Sequence, residues 1–521
     1  MRKVRKPPAP ASEKWGGRLD GWIGVVAPAW AEKRAYARIR TGLRLSVYRG
    51  ASKGRIFEDW TTTPDDDEEA LSWELPDLRQ RSRDLVRNNA IAESLISTIV
   101  TKVVGPGLTP QSLATEGLPG LADSDAAEAW RNEAEDAWRE WARGADVAGK
   151  LTFGQMQRLA LRRMLIDGDV FLVRQMARRK GIRTAWKMVG GERVLTPGNL
   201  TSEKNILNGI KYNKSGRPVS YFIRKHQART SLAQDFQEIK ARDRAGRPNV
   251  IHLFLPIRVD QTRGVPILAP ALPVFKQFES YLEAMLVRAR VEACISGFVK
   301  SAAPLSHITP RTSETDGDNR RLETLAPGQI EYLREGEDIS FIAPTNPGRD
   351  FEAFIKRLIR MIAAAVGLPY ELAAKDYSES NYSNSRMASL DGRDVFEDMR
   401  AYVSGTLCQP VWELVLEEGV LRGVVPEAGY DVAGETYSRT RWGGRGWPSV
   451  DPEKDAAGDL LKLRIGSTTV SDLCNREGAD WKDNFKQREE EEAERARAGL
   501  PPLFDTKEAP GAGDDDEAEN E

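Results

Sequence analysis

The chain has 521 residues, a formal net charge of −2, 40% hydrophobic residues and 30% charged residues. This composition is typical of a globular protein with a charge-rich surface, and the length predicts two to four domains. The near-neutral charge argues against a general polyanion binder, and no apolar run reaches the roughly 18–20 residues of a membrane-spanning helix. Cys294, Cys408 and Cys474 lie far apart, which indicates neither a metal site nor a disulfide framework and favours a reducing compartment.

The two ends of the chain differ in charge. The first 18 residues are basic but lack the apolar stretch of a secretory signal. The residues after Phe504 are acidic and contain no aromatic side chain. We therefore expect a disordered basic arm at the N-terminus and a solvated acidic tail at the C-terminus.

Helical periodicity dominates the first part of the chain. One helix is predicted from Asp77 to Val104, after an acidic run at residues 64–70, and Gly-Pro-Gly at 105–107 ends it. The next helix, from about Asp125 to Arg143, carries three tryptophans on one side: Trp130, Trp138 and Trp141. Core packing is their expected role, and base stacking is the alternative.

Residues 144–150 fit the phosphate-loop pattern G-x-x-x-x-G-K. Leu151, however, occupies the position where such a loop needs Ser or Thr to bind Mg²⁺, and the segment follows a helix instead of a strand. A nucleotide site is therefore not expected here. Thr152 is instead predicted to cap a helix through Asp167, with Gln155 completing a capping box.

A β-rich section follows. Residues 170–189 form one predicted hairpin, and residues 208–225 form a second with its turn at Ser215-Gly216. The section ends in an apolar strand that contains His252. A ligand or general base is one role for this histidine, and a structural role with its hydrogen bonds satisfied is the expected one.

Helical pattern returns from Pro273 to Val299, and residues 301–348 then contain short strand-like pieces. Residues 426–450 are predicted to form a loop. Two helices are predicted to follow, over 451–465 and 471–498, and the Glu/Arg run of the second indicates a solvated face.

A polar insert stands out between two helices. The first helix begins near Phe351 with an apolar stripe at 3.6-residue spacing and stops at Gly367. The insert KDYSESNYSNS occupies residues 375–385, and helical pattern resumes near Arg386. Pro410 should kink the helix that follows.

The sequence contains no recognisable catalytic constellation. It has three histidines, no G-x-S-x-G elbow and no metal-binding motif. The acidic pairs Asp167/Asp169 and Asp391/Asp394 are expected on the surface. We predict a structural or assembly protein that is not an enzyme and needs no cofactor or metal.

Several stretches, in their order and spacing, resemble the lambda family of phage portal proteins. The insert with its flanks, AAAVGLPYELAAKDYSESNYSNSR, is the most diagnostic, and the long N-terminal arm is a departure from the family. The matching stretches are residues 48–60, 81–111, 252–272, 327–344, 351–396 and 464–494.

The resemblance implies an α+β, mainly helical portal fold with a β-rich wing and a small α/β clip. It also implies a homo-oligomeric ring, usually of twelve subunits, at one capsid vertex, through which double-stranded DNA passes without sequence specificity during packaging and ejection. The implied partners are the terminase large subunit, head–tail joining proteins and the capsid protein, with no membrane. The chain would be assembled in the host cytoplasm and reside in the virion.

The order of segments then implies a domain layout. It is a peripheral arm (1–75), wing (76–265), stem helix (266–300), clip (301–348), returning stem helix (349–372), tunnel loop with long helix (373–425), crown helices (426–500) and acidic tail (501–521).

The insert would fall where the family has its tunnel loop. Twelve helices side by side, each 10–12 Å wide, would enclose a bore of roughly 28–35 Å, which admits a duplex. Because each phosphate contact by Lys or Arg stabilises binding, a strongly basic lining would stall the DNA. The dilute polarity of the insert suits a sliding surface, so we predict that its polar residues face or flank the channel: Lys375, Asn381, Tyr382, Asn384 and Arg386. The alternative is that this loop packs against a neighbouring subunit.

Two other functions are considered. One is a nucleotide-driven packaging motor or a nuclease, which the incomplete phosphate loop and the missing metal motif disfavour. The other is a different head–tail connector ring, a class of usually shorter chains that lack the block at 351–396.

Overall fold

The structure is a computed structural model. It describes residues 67–203, 205–225, 235–294, 298–301, 337–340, 351–378, 381–447 and 451–501. The predicted arm, most of the clip and the acidic tail lie outside the described residues. The chain divides into two compact units, residues 1–70 and 71–521, and all but the first few described residues belong to the second.

Helices account for most of the described residues. They are α1 (Asp67–Asn88), α2 (Ala90–Val103), α3 (Ser124–Ala142), α4 (Phe153–Asp167), α5 (Leu272–Cys294), α6 (Phe351–Ala365), α7 (Tyr370–Ala374), α8 (Tyr382–Val403), α9 (Gln409–Leu421), α10 (Tyr430–Tyr437), α11 (Pro452–Arg464), α12 (Val470–Arg476) and α13 (Trp481–Arg497).

The strands form antiparallel sheets with the orders β3-β2-β8, β4-β5-β6-β7, β1-β11 and β9-β10. Together with the helices they confirm the predicted α+β class. The strands are β1 (Thr109–Ser112), β2 (Asp169–Met176), β3 (Thr184–Gly190), β4 (Ile206–Leu207), β5 (Ile210–Tyr212), β6 (Pro218–Arg224), β7 (Phe236–Lys240), β8 (Val250–Phe254), β9 (Phe298–Ser301), β10 (Glu337–Ser340) and β11 (Thr440–Gly443).

The single helix predicted from Asp77 to Val104 is two helices. The break falls at Asn89, whose side-chain oxygen accepts hydrogen bonds from the backbone amides of Ile91 and Ala92 and so caps α2. An asparagine that caps the second helix competes with the backbone bonds that would continue the first. The end at the Gly-Pro-Gly segment is as predicted.

The main core is helical and rich in tryptophan. Trp130, Trp138 and Trp141 of α3 are each at most 3% exposed, which confirms core packing. The Trp138 ring contacts those of Phe153 and Trp412 at centroid distances of 5.1 and 5.6 Å. Edge-to-face contacts of this kind contribute about 0.5–1.5 kcal/mol each beyond the burial of area.

A smaller core lies between the two larger sheets. Phe171 and Val189 of the first sheet pack with Tyr221 and Ile223 of the second. Both predicted hairpins are present, because β2 pairs with β3 and β5 pairs with β6. In the second, Gly216 at the turn has a φ of 71°, a conformation that glycine adopts without strain.

Two glycines allow α4, β2 and the loop after β8 to approach closely. Gly168, with a φ of 88°, links α4 to β2, and a Cβ there would lie 2.2 Å from the carbonyl oxygen of Gly264. A Cβ on Gly264 would lie 1.9 Å from the carbonyl oxygen of Gly168. The two backbones therefore pack directly on each other.

Some predicted boundaries were wrong. Residues 426–450 were expected to form a loop but contain α10 and β11, and β11 pairs with the remote β1. The helix predicted to reach Val299 ends at Cys294, and β9 follows it and pairs with β10. The last predicted helix is split into α12 and α13, and none of the residues of α11, α12 or α13 is buried.

The predicted irregularity before Pro410 is present. A π-helical turn, Ser404–Cys408, separates α8 from α9, and Pro410 lies in the first turn of α9. A proline removes one backbone donor and clashes with the preceding turn. The wider turn accommodates both effects without ending the helical path.

Candidate functional site

The polar insert begins after a sharp turn between two packed helices. α6 buries Leu358, Ile359 and Ile362, as its predicted stripe requires. It ends at Ala365, and Gly367, which has a φ of 77°, stops it as expected. The amide of Leu368 donates to the carbonyl of Ala363 at 2.9 Å. This closure fixes the direction in which α7 leaves.

The first half of the insert is organised around Asp376. Its carboxylate accepts hydrogen bonds from the Tyr370 hydroxyl at 2.9 Å and from the Ser378 hydroxyl and amide at 2.6 and 3.1 Å. The bonds from Ser378, followed by that from Tyr370, lower the pKa of Asp376 to about 2. Burial, and then the bond to Asp376, raises the pKa of Tyr370. The segment therefore presents a fixed negative charge.

Lys375 is the exposed cation at the start of the insert. It ends α7 in the left-handed conformation, with φ 55° and ψ 34°. A non-glycine residue in this region carries a modest strain that the surrounding structure must support. Its side chain is exposed.

The second half of the insert is helical, which corrects the predicted boundary. α8 begins at Tyr382, four residues before Arg386, because the side chain of Asn381 accepts a hydrogen bond from the Asn384 amide at 2.8 Å and caps the helix. Asn381 and Asn384 are exposed and lie together. The side chain of Tyr382 lies outside the description.

Arg386 is tied to the C-terminal helices. Its guanidinium donates to the carboxylate of Asp455 in α11 at 2.8 Å, and both side chains are about a third exposed. Of the two cations predicted to meet DNA, Lys375 is therefore the more exposed, and Arg386 joins α8 to α11. The sequence gives no signal for Asp455, whereas the Asp-x-Ser spacing of Asp376 and Ser378 is a recognisable turn signature.

The insert is backed by close packing between α7 and α8. Gly392 of α8 lies so near Leu372 of α7 that a Cβ would come 2.2 Å from the Leu372 side chain. Further along α8, the Phe396 ring stacks on that of Trp447 at 6.0 Å, and the guanidinium of Arg400 lies 5.1 Å from the same ring. The helices on both sides of the insert are therefore fixed by tight side-chain packing.

A buried charge network lies away from the insert and was missed. Asp167 and Asp169 are both 0% exposed, so their predicted surface position is wrong. Asp169 accepts from Arg79 at 2.7 Å and from Arg263 at 2.5 Å, and Asp167 accepts from Arg83 at 2.5 Å. Buried carboxylates need such partners. The other pair, Asp391 and Asp394, is exposed as predicted.

The charges around Asp169 decide its protonation. Burial favours the neutral acid, but Arg263 and Arg79 outweigh it and hold the pKa of Asp169 well below its ordinary value. His252 lies between Phe171 and Phe254 with its Nε2 3.5 Å from Asp169, and burial lowers its pKa. His252 therefore packs among core side chains, with its Nε2 within ion-pair distance of Asp169 but without a hydrogen-bond partner. Its structural role stays a prediction.

In the segment that resembles a phosphate loop, a side chain of the segment itself binds the backbone amides. The carboxylate of Asp146 accepts hydrogen bonds from the amides of Ala148 and Lys150, each at 3.1 Å. Those are amides that a phosphate would need. The capping box of Thr152 and Gln155 is present as predicted.

Within the described part of the chain, no helix combines the length and the apolarity needed to cross a bilayer. In the same residues, no three His, Cys, Asp or Glu side chains are grouped as metal ligands would be.

Comparison with known proteins identifies the family. The family model described as phage portal protein, lambda family, matches residues 53–400, which include α6, the insert and most of α8. The chain belongs to the lambda family of phage portal proteins. It is therefore a structural protein of the head–tail portal.

Individual members of the portal family match over nearly the whole chain. The portal protein of Escherichia phage N15 is 24% identical over 481 residues, which cover 87% of this chain and 91% of the relative. Portal protein B of Escherichia phage lambda is 24% identical, with coverages of 87% and 90%. A solved structure, the neck of an empty GTA particle, is similar at a TM-score of 0.45 and 15% identity, and covers 87% of this chain and 100% of that chain.

Proposed function

We propose that this portal protein assembles into a closed ring of twelve copies at one capsid vertex and forms the channel for double-stranded DNA during packaging and ejection. The observation that carries the proposal is the family match over residues 53–400. The ring would assemble in the host cytoplasm and become part of the virion.

The domain layout predicted from the sequence is retained as part of this proposal. α5 and α6 are adjacent, with the Tyr281 ring 5.9 Å from Phe351 and 4.9 Å from Phe354, which supports a pair of stem helices. The antiparallel strands β9 and β10 support a clip at the distal end of that pair. The clip would contact the terminase large subunit and later the head–tail joining proteins, and the wing would contact the capsid protein.

The insert at 375–385 is proposed as the segment that contacts the passing duplex. Its fixed carboxylate at Asp376 repels phosphates, whereas the exposed Lys375 attracts them. Opposite charges at adjacent positions keep the net attraction small, which a sliding contact requires. The exposed amides of Asn381 and Asn384 can contact the backbone without reading the bases.

Imaging of the purified full-length chain tests the ring. We expect closed particles with a central hole and a mass of about twelve times 58.0 kDa by electron microscopy and mass photometry. A chain that stays monomeric across salt and concentration would contradict the proposal.

The channel contact is tested by Lys375→Glu and Lys375→Gln in a packaging reaction. We expect intact rings that retain less packaged DNA, because one phosphate contact per subunit is lost. Retention is measured as DNase-protected genome. Lys454→Glu, on the exposed α11 surface, is the matched control. Packaging and retention that match the wild type would remove Lys375 from the channel.

Arg386 needs a different design, since reversing its charge alone places two negative charges where the ion pair with Asp455 stands. The reciprocal change Arg386→Asp with Asp455→Arg preserves the ion pair while moving the cation to α11. If Arg386 contacts DNA, this double variant should behave as Lys375→Gln does. If its role is only to join α8 and α11, the double variant should behave as the wild type, and Arg386→Asp alone should not.

A further inference from the structure

Several cations surround one tryptophan ring where the end of α2 and the second half of α8 meet the segment after β11. The Nζ of Lys102 lies 6.0 Å from the centroid of the Trp447 ring. The guanidinium carbons of Arg393 and Arg400 lie 5.2 and 5.1 Å from the same centroid. Arg445 is exposed and lies close enough to Lys102 to lower its pKa. The lysine and the three arginines are called the basic cluster below.

The basic cluster forms no ion pair with a carboxylate of the described residues. Arg400 donates to two backbone carbonyls at the end of α2, and the Nε of Arg393 is buried without a hydrogen-bond partner. Burial lowers the pKa of Arg400, and the nearby charge of Glu397 only partly offsets it. Burial, and then Arg445 and Arg393, lowers the pKa of Lys102. Like charges are therefore held together, and an anion from outside the subunit would relieve their repulsion.

The burial of the basic cluster favours single carboxylates over a DNA duplex as its anion. Lys102, Arg393 and Arg400 are half-buried, and Arg445 is the one exposed member of the four. A stiff duplex carries its phosphates along a convex surface, so it contacts projecting cations and not recessed ones. A carboxylate on a side chain can enter the recess and form charge-assisted hydrogen bonds there.

α13 carries carboxylates that match the basic cluster. Glu489 and Glu492 are three residues apart, so they share one face of the helix, and both are exposed. Neither has an ion-pair partner among the described residues. On the adjoining face, Glu494 is already paired with Arg497 at 3.1 Å. The face with Glu489 and Glu492 is therefore the one whose charge is not neutralised.

α13 carries these glutamates away from the basic cluster of its own subunit. Gly478, two residues before the N-cap of α13, packs on the segment around Arg445, because a Cβ there would lie 2.7 Å from the carbonyl oxygen of Gly444. Glu489 and Glu492 lie about 12–17 Å beyond the start of α13, at a rise of about 1.5 Å per residue. The next copy in a ring repeats the basic cluster and can receive them.

We propose that Glu489 and Glu492 of one subunit bind the basic cluster of the adjacent subunit. The cations that meet them are Lys102, Arg393 and Arg445. The proposal rests on the ring proposed above and assigns the chemistry of one contact between neighbours. Each subunit then contributes one cationic and one anionic surface, so that the same head-to-tail contact repeats until the ring closes.

Mixing two charge-reversed variants of the full chain tests this contact. Lys102→Glu with Arg445→Glu reverses the charge of the basic cluster. Glu489→Lys with Glu492→Lys reverses the charge of the α13 face. We expect each variant alone to form about ten-fold fewer rings by mass photometry at low salt, because attraction becomes repulsion at every interface. An equimolar mixture should restore rings of alternating composition, since each cluster then meets the opposite charge on the other variant.

Two controls separate the contact from general effects of charge or folding. Glu490→Lys with Glu494→Lys makes the same charge change on the adjoining face of α13, and its rings should form as in the wild type. Lys102→Gln with Arg445→Gln removes two charges without reversing them. It should keep the wild-type circular dichroism and form about three-fold fewer rings, because the attraction is lost without added repulsion.

The outcomes distinguish this contact from the ring itself. A wild-type chain that forms no rings would contradict the proposed function. Rings that form normally in both charge-reversed variants, or a mixture that stays unassembled, would overturn the contact and leave the ring proposal standing. If the cluster variant assembles normally but binds DNA more weakly and with a smaller dependence on salt, the cluster binds phosphates and the contact is equally overturned.

Discussion

Asp169 shows how a fully buried carboxylate can remain charged in this chain. Arg263 donates to both of its oxygens and also to the carbonyls of Gly191, Val194 and Asn208. This one arginine therefore links β2 to the segment that follows β3 and to the turn between β4 and β5. Removing one partner of such a group leaves an uncompensated buried charge, which costs more than the pair itself contributes.

Asp169→Asn should lower the free energy of unfolding by about 3–5 kcal/mol. The pKa of Asp169 in the folded chain lies below the unfolded value of about 3.9, so its contribution is complete above that pH and is lost as the pH falls. We therefore expect the variant to lose less stability than the wild type between about pH 5 and pH 3.

Urea unfolding followed by tryptophan fluorescence across this pH range measures the effect. Asp391→Asn, an exposed aspartate of α8, is the control and should follow the wild type. If Asp169→Asn unfolds at the wild-type urea midpoint at pH 7, the network does not have the stabilising role assigned to it.

At the scale of elements, the contact between Gly168 and Gly264 sets how closely α4, β2 and the loop after β8 can approach. Gly264→Ala would place a Cβ against backbone atoms that have no room to move, and we expect a loss of about 2 kcal/mol or more. Gly458→Ala is the control, because a Cβ at this half-buried position of α11 meets nothing within 4 Å. It should be neutral or stabilising by up to about 1 kcal/mol. Thermal unfolding of both variants gives the comparison, and equal melting temperatures would contradict the close approach.

The elements predicted correctly from the sequence are those whose signals are local. The capping box at Thr152, the hairpin turn at Gly216 and the stripe of α6 each lie within a few residues. The errors concern distant partners. Asp167 and Asp169 appear as ordinary surface carboxylates because the arginines that make their shortest ion pairs, Arg79, Arg83 and Arg263, lie 84 to 94 residues away.

The polar insert between two helices was predicted, but its internal structure was not. Composition and family resemblance located the insert, yet its serines, asparagines and aspartate have similar N-capping propensities, so the start of α8 at Tyr382 could not be chosen among them. The pairing of Arg386 with Asp455 joins segments 69 residues apart and leaves no mark in the sequence.

At the scale of the whole molecule, the C-terminal helices indicate that a single chain does not bury all of its apolar surface. None of the residues of α11–α13 is buried, and Leu461 and Ile465 at the end of α11 are 59% and 77% exposed. Helices this short gain most of their stability from packing. If the chain forms a ring, we expect an adjacent subunit to cover this face.

Leu461→Asp with Ile465→Asp should therefore reduce the fraction of assembled particles seen by mass photometry, while the circular dichroism of the subunit stays close to that of the wild type. Val432→Asp, an equally exposed position on α10, is the control. Rings that form normally in the double variant would place the subunit interface elsewhere.

The π-helical turn between α8 and α9 determines how the faces of these two helices are rotated relative to each other. One extra residue in a helical turn rotates everything beyond it by about 100° relative to an uninterrupted helix. The residues of α9 that fill the core, such as Trp412 and Val415, are therefore out of phase with the face that α8 presents near the insert. Deleting one residue within 404–408 would leave an ordinary helix but turn one of these faces away from its partners. The fold thus depends on the number of residues between α8 and α9, and not only on which residues they are.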